Sequence, residues 1–260
     1  MKRVVIISDL HSGHRGGLTP PDWQYNLDSD NPDRAKWAKL QHTTWQWYAD
    51  KLASLQPIDT LIVNGDAIDG KGQASGGSEN ITSDRNEQCE MAAVAICQAE
   101  ANRVMMIRGT PYHGGKEENF EDLIAFNVGA DSIENHGYYE IYGNVIDCKH
   151  KVGSSAIPHG RWTATARSAL WNTLWAERGL VPHANIIVRS HVHYHIEGSD
   201  SQRRFFTTPA LQSWTQYGGQ QCESTIDYGL IELQFEEDGN YTFTPHFLDL
   251  KFSKQEAVKL

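Results

Sequence analysis

The sequence predicts an α/β fold with a central β-sheet and a second sheet packed on it. In the first half of the chain, short runs of β-branched residues alternate with longer segments of helical periodicity. This alternation is typical of strand–loop–helix units built around one sheet. The second half contains mostly strand-like runs, which indicate a second sheet. No internal repeat or linker divides the sequence, so we expect a single domain over residues 1–260.

The predicted strands are short, and most of them end at polar residues. In the first half they are residues 4–8, 60–63 and 104–107. Further along, the predicted strands are a hairpin-like pair at 138–141 and 144–148, residues 186–188, and runs around Phe205, Ile231 and Phe243.

Helices are predicted where apolar residues recur at helical spacing. The first helix has an aromatic stripe that includes Trp37, Trp45 and Tyr48, and Asp33 is its expected N-cap. The stripe indicates core packing. The other predicted helices are residues 84–101, 117–128 and 163–178. Between strand and helix, residues 70–80 are rich in glycine and form either a lid over a site or an unconstrained connection.

Composition and charge restrict the classes of partner. The net charge is −10, which argues against a broad basic surface for nonspecific nucleic-acid binding. It does not exclude a nuclease, because bound cations can supply the positive charge that a phosphate needs. No apolar run is long enough for a membrane helix, and the four cysteines form no C-x-x-C pair. We therefore expect a cytoplasmic protein without a membrane partner.

The positions of aspartate and histidine carry most of the functional information. These residues follow the predicted strands as Asp9 and His11, Asp66, His113, and His191 and His193. Ligands of such sheets bind at the carboxyl ends of the strands. Because strand residues i and i+2 share a face, Asp9 is expected to point with His11. Mixed carboxylate and imidazole ligands suit Mn²⁺, Fe²⁺ or Zn²⁺. Two such ions would activate a shared water for attack on phosphorus.

The order of these blocks resembles the calcineurin-like metallophosphoesterase superfamily. Residues 9–11 match its D-x-H block and residues 65–69 match G-D-x-x-D. Residues 190–193 match G-H-x-H, with Ser190 where the family has glycine. The sequences of the loops, for example residues 109–113, also resemble those of phage and prophage members of the superfamily. The resemblance implies a four-layer α/β/β/α sandwich with two packed mixed β-sheets.

The resemblance also implies a ligand set for two divalent metal ions, with Mn²⁺ preferred and Zn²⁺, Fe²⁺ or Ni²⁺ as alternatives. The first ion would be held by Asp9, His11 and His193, and Asp66 would bridge. The second would be held by His191 and by a histidine from a fourth block. We prefer His150 for that block, with His159 as the alternative because a His-Gly pair also resembles it. A metal-bridging hydroxide would then attack phosphorus.

The third block departs from the family pattern, G-N-H-D or G-N-H-E. Thr110 stands at the asparagine position, where a neutral hydroxyl is a poorer ligand. His113 is displaced by two residues, and it either acts as general acid or replaces the missing ligand. Asp69 would then orient His113. Arg108 and Arg189 each end a strand, where they either contact phosphate or pair with local acids.

These features predict a metal-dependent phosphoesterase whose substrate is a phosphodiester, a nucleotide or a nucleic acid. The first alternative is a non-catalytic, metal-stabilised scaffold or partner-binding protein of the same fold. A second alternative is a nuclease that acts in a complex whose partner supplies the basic surface. The orientation of His113 discriminates the enzyme from the scaffold. Three other histidines are expected to be ordinary hydrogen-bonded residues: His136, His183 and His246.

Overall fold

The computed structural model describes residues 1–116, 118–215 and 225–250. Two mixed β-sheets pack face to face, and helices cover the outer face of each sheet. The predicted four-layer α/β/β/α arrangement is therefore confirmed.

The first sheet has six strands in the order β11-β10-β1-β2-β3-β4. The strands β1 to β4 run parallel, whereas β10 is antiparallel to β1 and β11 is antiparallel to β10. Their bounds are Lys2–Ile7 (β1), Thr60–Asn64 (β2), Arg103–Ile107 (β3), Ser132–Glu134 (β4), Tyr228–Phe235 (β10) and Tyr241–Leu248 (β11).

The second sheet has five strands in the order β5-β6-β7-β9-β8. Its central strands β6, β7 and β9 run parallel, and the two edge strands are antiparallel to their neighbours. Their bounds are Gly137–Ile141 (β5), Asn144–Cys148 (β6), Ile186–Arg189 (β7), Ile196–Ser199 (β8) and Arg204–Thr207 (β9). The predicted hairpin at 138–148 is confirmed, but β4 and β8 had no counterpart among the predicted strands.

The α-helices agree with the predicted ones in number and order, apart from one extra short turn. Their bounds are Pro32–Ser54 (α1), Arg85–Cys97 (α2), Pro111–Gly114 (α3), Phe120–Val128 (α4) and Arg161–Ala176 (α5). The expected N-cap Asp33 is wrong, because the side chain of Asn31 accepts from the backbone N–H groups of Asp33 and Arg34. The predicted start of α4 at Glu117 lies outside the described residues.

The burial of β1 shows how one strand serves two cores. Val4 and Ile6 contribute to the apolar layer between the sheets, whereas Val5 and Ile7 pack under the helices. All four are fully buried, as expected of a central strand covered on both faces. On the outer face of the second sheet, Ala169 of α5 packs against Ile187 of β7.

Within the described ranges, no helix combines the length and the apolar character that crossing a membrane requires.

Candidate metal centre

Five of the predicted ligands share an unusual backbone conformation. They have left-handed φ angles, namely 52° for Asp9, 45° for His11, 51° for Asp66, 75° for His191 and 57° for His193. A non-glycine residue in this region is uncommon and is worth attention as a marker of function. The strand-alternation reason for pairing Asp9 with His11 is wrong, because β1 already ends at Ile7. The two side chains converge through tight turns beyond the strand.

The first ligand group consists of Asp9, His11 and His193, whose candidate ligand atoms all lie within 4.8 Å of one another. Nε2 of His193 lies 3.2 Å from Oδ1 of Asp9 and 3.2 Å from Nε2 of His11. Nδ1 of His11 faces Oδ1 of Asp69 at 3.2 Å. Since the ionised carboxylate only accepts, His11 donates from Nδ1, and its Nε2 keeps a lone pair.

The second ligand group consists of Asp66, His150 and His191, again with candidate ligand atoms within 4.8 Å. Nε2 of His150 lies 2.9 Å from Oδ2 of Asp66, and Nδ1 of His191 lies 3.9 Å from the same oxygen. Nδ1 of His150 donates to the backbone carbonyl of Asn64 at 2.7 Å. Nε2 of His150 therefore faces the carboxylate of Asp66. The two groups contain the residues that the sequence resemblance implied, and a third set with the same spacing joins His11, Asp69 and His113. Their role as ligands and the bridging role of Asp66 stay predictions.

Charge and burial set the protonation of these residues. Burial, followed by the charge of His113, lowers the pKa of His11 to about 4, so its imidazole is neutral at pH 7. Burial opposes ionisation of Asp66, but the facing imidazole of His150 holds the pKa of that carboxyl well below its usual range. For His150 burial is likewise outweighed, and the carboxylates of Asp66 and Asp9 raise its pKa to about 10. Without a metal ion, Asp66 and His150 thus form a buried ion pair.

One buried oxygen tests whether these residues fit a cation. Oδ1 of Asp9 is buried and accepts no hydrogen bond, although Nε2 of His193 approaches it to 3.2 Å. Nε2 of His11 and Nε2 of His150 each lie 4.0 Å from the same oxygen. A buried carboxylate oxygen that accepts no hydrogen bond is unfavourable. A divalent ion among these oxygen and nitrogen atoms would satisfy it, so the donor set fits a metal.

The altered third block lies at the same centre. The backbone N–H of Thr110 donates to Oδ1 of Asp66 at 2.6 Å, and its hydroxyl donates to the same carboxylate at 3.1 Å. Thr110 therefore orients Asp66. Nδ1 of His113 donates to the backbone carbonyl of Asp69 at 2.8 Å, which leaves Nε2 facing the cluster, 4.0 Å from Oδ2 of Asp66. Asp69 does hold His113, but through its main chain, while its carboxylate binds His11.

Three of the candidate residues lie away from the ligand groups. His159 is exposed in a short 3-10 turn and belongs to none of the described ligand groups, so the structure favours His150 for the fourth block. The guanidinium of Arg108 pairs with Asp122 at 2.7 Å, and the assignment of Arg108 to phosphate is not supported. Arg189 is buried and pairs with Asp147 at 2.7 Å. Both arginines therefore pair with a nearby acid, which is the second of the two roles that the sequence left open.

Sequence reasoning missed Glu121, which is buried beneath the centre. Its two carboxylate oxygens accept from the backbone N–H groups of Ala67, at 3.0 Å, and Gly109, at 2.6 Å. Burial and then the charge of Asp66 raise the pKa of Glu121 to about 7. It joins the loops that follow β2 and β3. No sequence signal distinguishes it from other acids in the first turn of a helix.

A chain of buried hydroxyls also supports the centre. Nδ2 of Asn64 donates to Oγ of Ser190 at 2.6 Å, and the hydroxyls of Ser190 and Thr208 are 2.7 Å apart. The hydroxyl of Thr208 lies 2.6 Å from that of Ser8, which donates to Oδ2 of Asp9 at 2.6 Å. Each hydroxyl can donate once along the chain toward the carboxylate. The one sequence signal was Ser190, the departure from glycine in its block.

The ligand groups open into a cavity of about 880 Å³. Apolar and aromatic side chains on its wall include Tyr112, Tyr194 and Trp214, and Lys151 adds a positive charge. Gly72, Gln73 and Glu79 of the glycine-rich loop also line the cavity, so the loop borders the site.

No protein-family model matches the sequence, and no curated protein matches it. Among solved structures, a Zn²⁺ complex of Vps29 from Entamoeba histolytica is similar, with 13% identity over 94% of this chain and 98% of that chain and a TM-score of 0.47. A novel archaeal phosphodiesterase is similar at 11% identity over 94% and 99%, with a TM-score of 0.46. A predicted phosphoesterase from Streptococcus pneumoniae is similar at 10% identity over 94% and 98%, with a TM-score of 0.38.

The resemblance to phage and prophage proteins stays a prediction.

Proposed function

We propose that this protein is a dinuclear metal-dependent phosphoesterase, with a phosphodiester of the nucleotide or nucleic-acid type as its favoured substrate. The observation that carries the proposal is the buried Oδ1 of Asp9, which accepts no hydrogen bond and lies among imidazole nitrogens of both ligand groups. When bound, two divalent ions would supply Lewis acidity toward phosphoryl oxygens and lower the pKa of water. Mixed oxygen and nitrogen donors suit borderline divalent ions. We take Mn²⁺ as the favoured ion, with Zn²⁺, Fe²⁺ or Ni²⁺ as alternatives.

The residues around the ligand groups have distinct tasks in this proposal. Asp69 and Thr110 hold His11 and Asp66 in fixed orientations through the contacts described above. His113 has its Nδ1 proton directed at a carbonyl, so Nε2 is the atom that would carry a proton to the leaving oxygen. The aromatic side chains of Tyr112 and Trp214 supply apolar surface for a base or aryl group in the cavity.

The orientation of His113 favours the hydrolase over the scaffold. A scaffold without turnover needs no proton donor at this position. In the structure its ring packs edge-on against His11, with centroids 4.5 Å apart, and its Nε2 faces Asp66. His113 therefore borders the same cavity as the ligand groups, as a proton donor would.

The test is hydrolysis of bis-p-nitrophenyl phosphate and of p-nitrophenyl phosphate with Mn²⁺, compared with EDTA. We expect Mn²⁺-dependent hydrolysis, faster for the diester. Asp66→Asn is expected to lower kcat/KM by more than about 100-fold, because even residues that only support a metal ligand cost 10- to 100-fold. Asp28→Asn, at an exposed loop position, is the control. Saturated metal binding without hydrolysis of either ester would contradict the proposal and favour the scaffold.

His113 can be tested through the leaving group. Loss of a general acid costs about 10²- to 10⁴-fold where the leaving oxygen needs a proton. We expect His113→Ala to impair hydrolysis of a dinucleotide far more than that of bis-p-nitrophenyl phosphate, whose nitrophenolate leaves unprotonated. An equal loss on both esters would contradict the assignment.

A further inference from the structure

A second, smaller cavity of about 230 Å³ adjoins the candidate metal centre. We call it the tryptophan–lysine cleft, after Lys149, Lys151, Trp171 and Trp175, which contribute to its lining. Lys151 lines both this cleft and the main cavity. The two lysines flank His150 directly in the chain. The cleft and the main cavity therefore lie on two sides of Lys151.

The aromatic side of the cleft presents an indole to solvent. Trp171 and Trp175 lie one turn apart on α5, with ring centroids 5.7 Å apart and planes inclined by 30°. That spacing is direct ring contact, so nothing inserts between the two indoles. Trp171 is 47% exposed, whereas Trp175 is half-buried and faces His136 edge-on. Trp175 thus supports one side of Trp171, and the exposed ring surface of the pair belongs mainly to Trp171.

The lining of the cleft also carries positive charge. Lys149 and Lys151 are exposed, and neither forms an ion pair with a carboxylate among the described residues. The deeper Arg189 is already neutralised by Asp147. The described residues that line the cleft include no acid. In a chain of net charge −10, two uncompensated ammonium groups beside an exposed indole form a local site for an anion attached to a flat ring.

We propose that the tryptophan–lysine cleft binds single-stranded nucleic acid, with a base stacked on Trp171 and backbone phosphates at Lys149 and Lys151. Aromatic platforms beside positive grooves bind single strands without sequence preference. The strand would pass over Lys151 into the main cavity, so this part of the inference rests on the proposed function. The cleft then selects a polynucleotide over a mononucleotide, because only a chain reaches both cavities.

Binding is tested with a fluorescein-labelled oligothymidylate of about ten nucleotides, a length within the usual site size. Fluorescence anisotropy is recorded in EDTA, so that the strand stays intact. We expect Trp171→Ala to weaken binding by about fivefold or more and Trp171→Phe, which keeps a stacking ring, to weaken it less. Trp162→Ala is the matched control, since Trp162 is similarly exposed on the same helix but does not line the cleft.

The lysines are tested by salt dependence. For single strands the slope of log K against log salt falls by about 0.7 for each phosphate contact that is removed. We expect Lys149→Ala combined with Lys151→Ala to reduce the slope by about 1.4. The exposed pair Lys36 and Lys39 on α1, changed in the same way, should leave the slope unaltered.

Several results would overturn the cleft proposal: no binding by the native protein, equal losses for Trp162→Ala and Trp171→Ala, equal affinity for duplex, or equally tight binding of polyglutamate. The proposed function fails separately, in the hydrolysis of bis-p-nitrophenyl phosphate. Strand binding at Trp171 without hydrolysis would support the cleft proposal and contradict the proposed hydrolase activity. Hydrolysis without strand binding would support the hydrolase activity and contradict the cleft proposal.

Discussion

At the scale of single residues, the candidate ligands are held in a backbone conformation that disfavours them. A left-handed φ costs roughly 1–2 kcal/mol for a residue with a Cβ atom. Asp9, His11 and Asp66 on one side of the centre, and His191 and His193 on the other, all adopt it. The surrounding fold must maintain these turns, because the side chains themselves gain nothing from them. Strain of this kind is expected where function dictates geometry.

The strain at His193 can be measured with a matched pair of variants. His193→Gly and His193→Ala both lose the imidazole, but only alanine keeps the Cβ atom that opposes a φ of 57°. In EDTA we expect the glycine variant to be more stable by about 1 kcal/mol in urea unfolding. At ordinary φ, glycine is usually less stable than alanine. His183, which is exposed and outside the positive-φ set, supplies the control pair. An alanine variant as stable as the glycine variant would show that the turn is unstrained.

At the scale of elements, α4 supports the centre although it contributes none of the predicted ligands. Its first turn places Glu121 beneath the loops after β2 and β3, where each carboxylate oxygen accepts one backbone N–H. Gly109 approaches Asp66 so closely that a Cβ atom at this position would clash with the carboxylate. The loop after β3 is thus fixed from both sides.

Glu121→Gln tests this support. A carboxamide can accept at its oxygen, but its NH₂ group would face the second backbone N–H. We expect a loss of about 1–3 kcal/mol in the free energy of unfolding, because a buried donor is left unpaired. The affinity for Mn²⁺ should fall by about 10- to 100-fold, which calorimetry would measure. Glu118→Gln, an exposed site just before the same helix, should change neither quantity.

The hydroxyl chain joins the ends of four strands, β2, β7, β9 and β1. Thr208→Val keeps the shape of its central member but removes the hydroxyl between Ser190 and Ser8. We expect destabilisation of about 1–3 kcal/mol and weaker Mn²⁺ binding, because Ser8, the donor to Asp9, loses the hydroxyl that holds it in place. Thr43→Val, on the exposed face of α1, is the control. Unchanged metal affinity in Thr208→Val would show that the chain does not orient Asp9.

The sequence predicted those elements whose signals lie within the element itself. Features that depend on contacts between distant segments could not be predicted. Apolar runs predicted β1, β2, β3 and β7 and the polar residues after them, so Asp9, Asp66 and His191 could be assigned to the carboxyl ends of strands. Short edge strands such as β4, with partly exposed residues, carry no such run. The role of Glu121 depends on two distant backbone N–H groups. Only the fold brings those groups together, so no pattern within α4 could have revealed it.

At the scale of the whole molecule, the centre lies across the junction of the two sheets. The first sheet and its loops supply Asp9, His11 and Asp66, whereas the second supplies His150, His191 and His193. A bound ion would therefore tie the sheets together. We expect Mn²⁺ at 100 times its Kd to add about 2.7 kcal/mol of stability for each site. Calorimetric unfolding with Mn²⁺ and with EDTA would show it. The gain from the first site should vanish in Asp9→Asn, and an unchanged Tm for the native protein would refute the tie.

The stability of the protein in acid should depend on a buried carboxylate near the edge of the first sheet. Glu232 on β10 is buried and accepts from Arg3 on β1 at 2.8 Å and from His246 on β11 at 2.9 Å. Burial opposes its ionisation, but hydrogen bonds from Gln234, His246 and Arg3 hold its pKa below the usual 4.5. A lowered folded-state pKa means that this carboxylate stabilises the fold above about pH 4.5. That contribution is lost as the pH falls through the folded-state value.

Glu232→Gln should therefore cost about 1–3 kcal/mol at pH 7, where the charged hydrogen bonds are intact. The difference between native protein and variant should shrink progressively below about pH 4.5, because the native carboxyl then becomes neutral as well. Urea unfolding from pH 7 to pH 3 measures this difference directly. Glu237→Gln, exposed in the turn between β10 and β11, should track the native protein throughout. A cost that persists unchanged at pH 3 would mean that shape, and not charge, makes Glu232 hold the outer strands to β1.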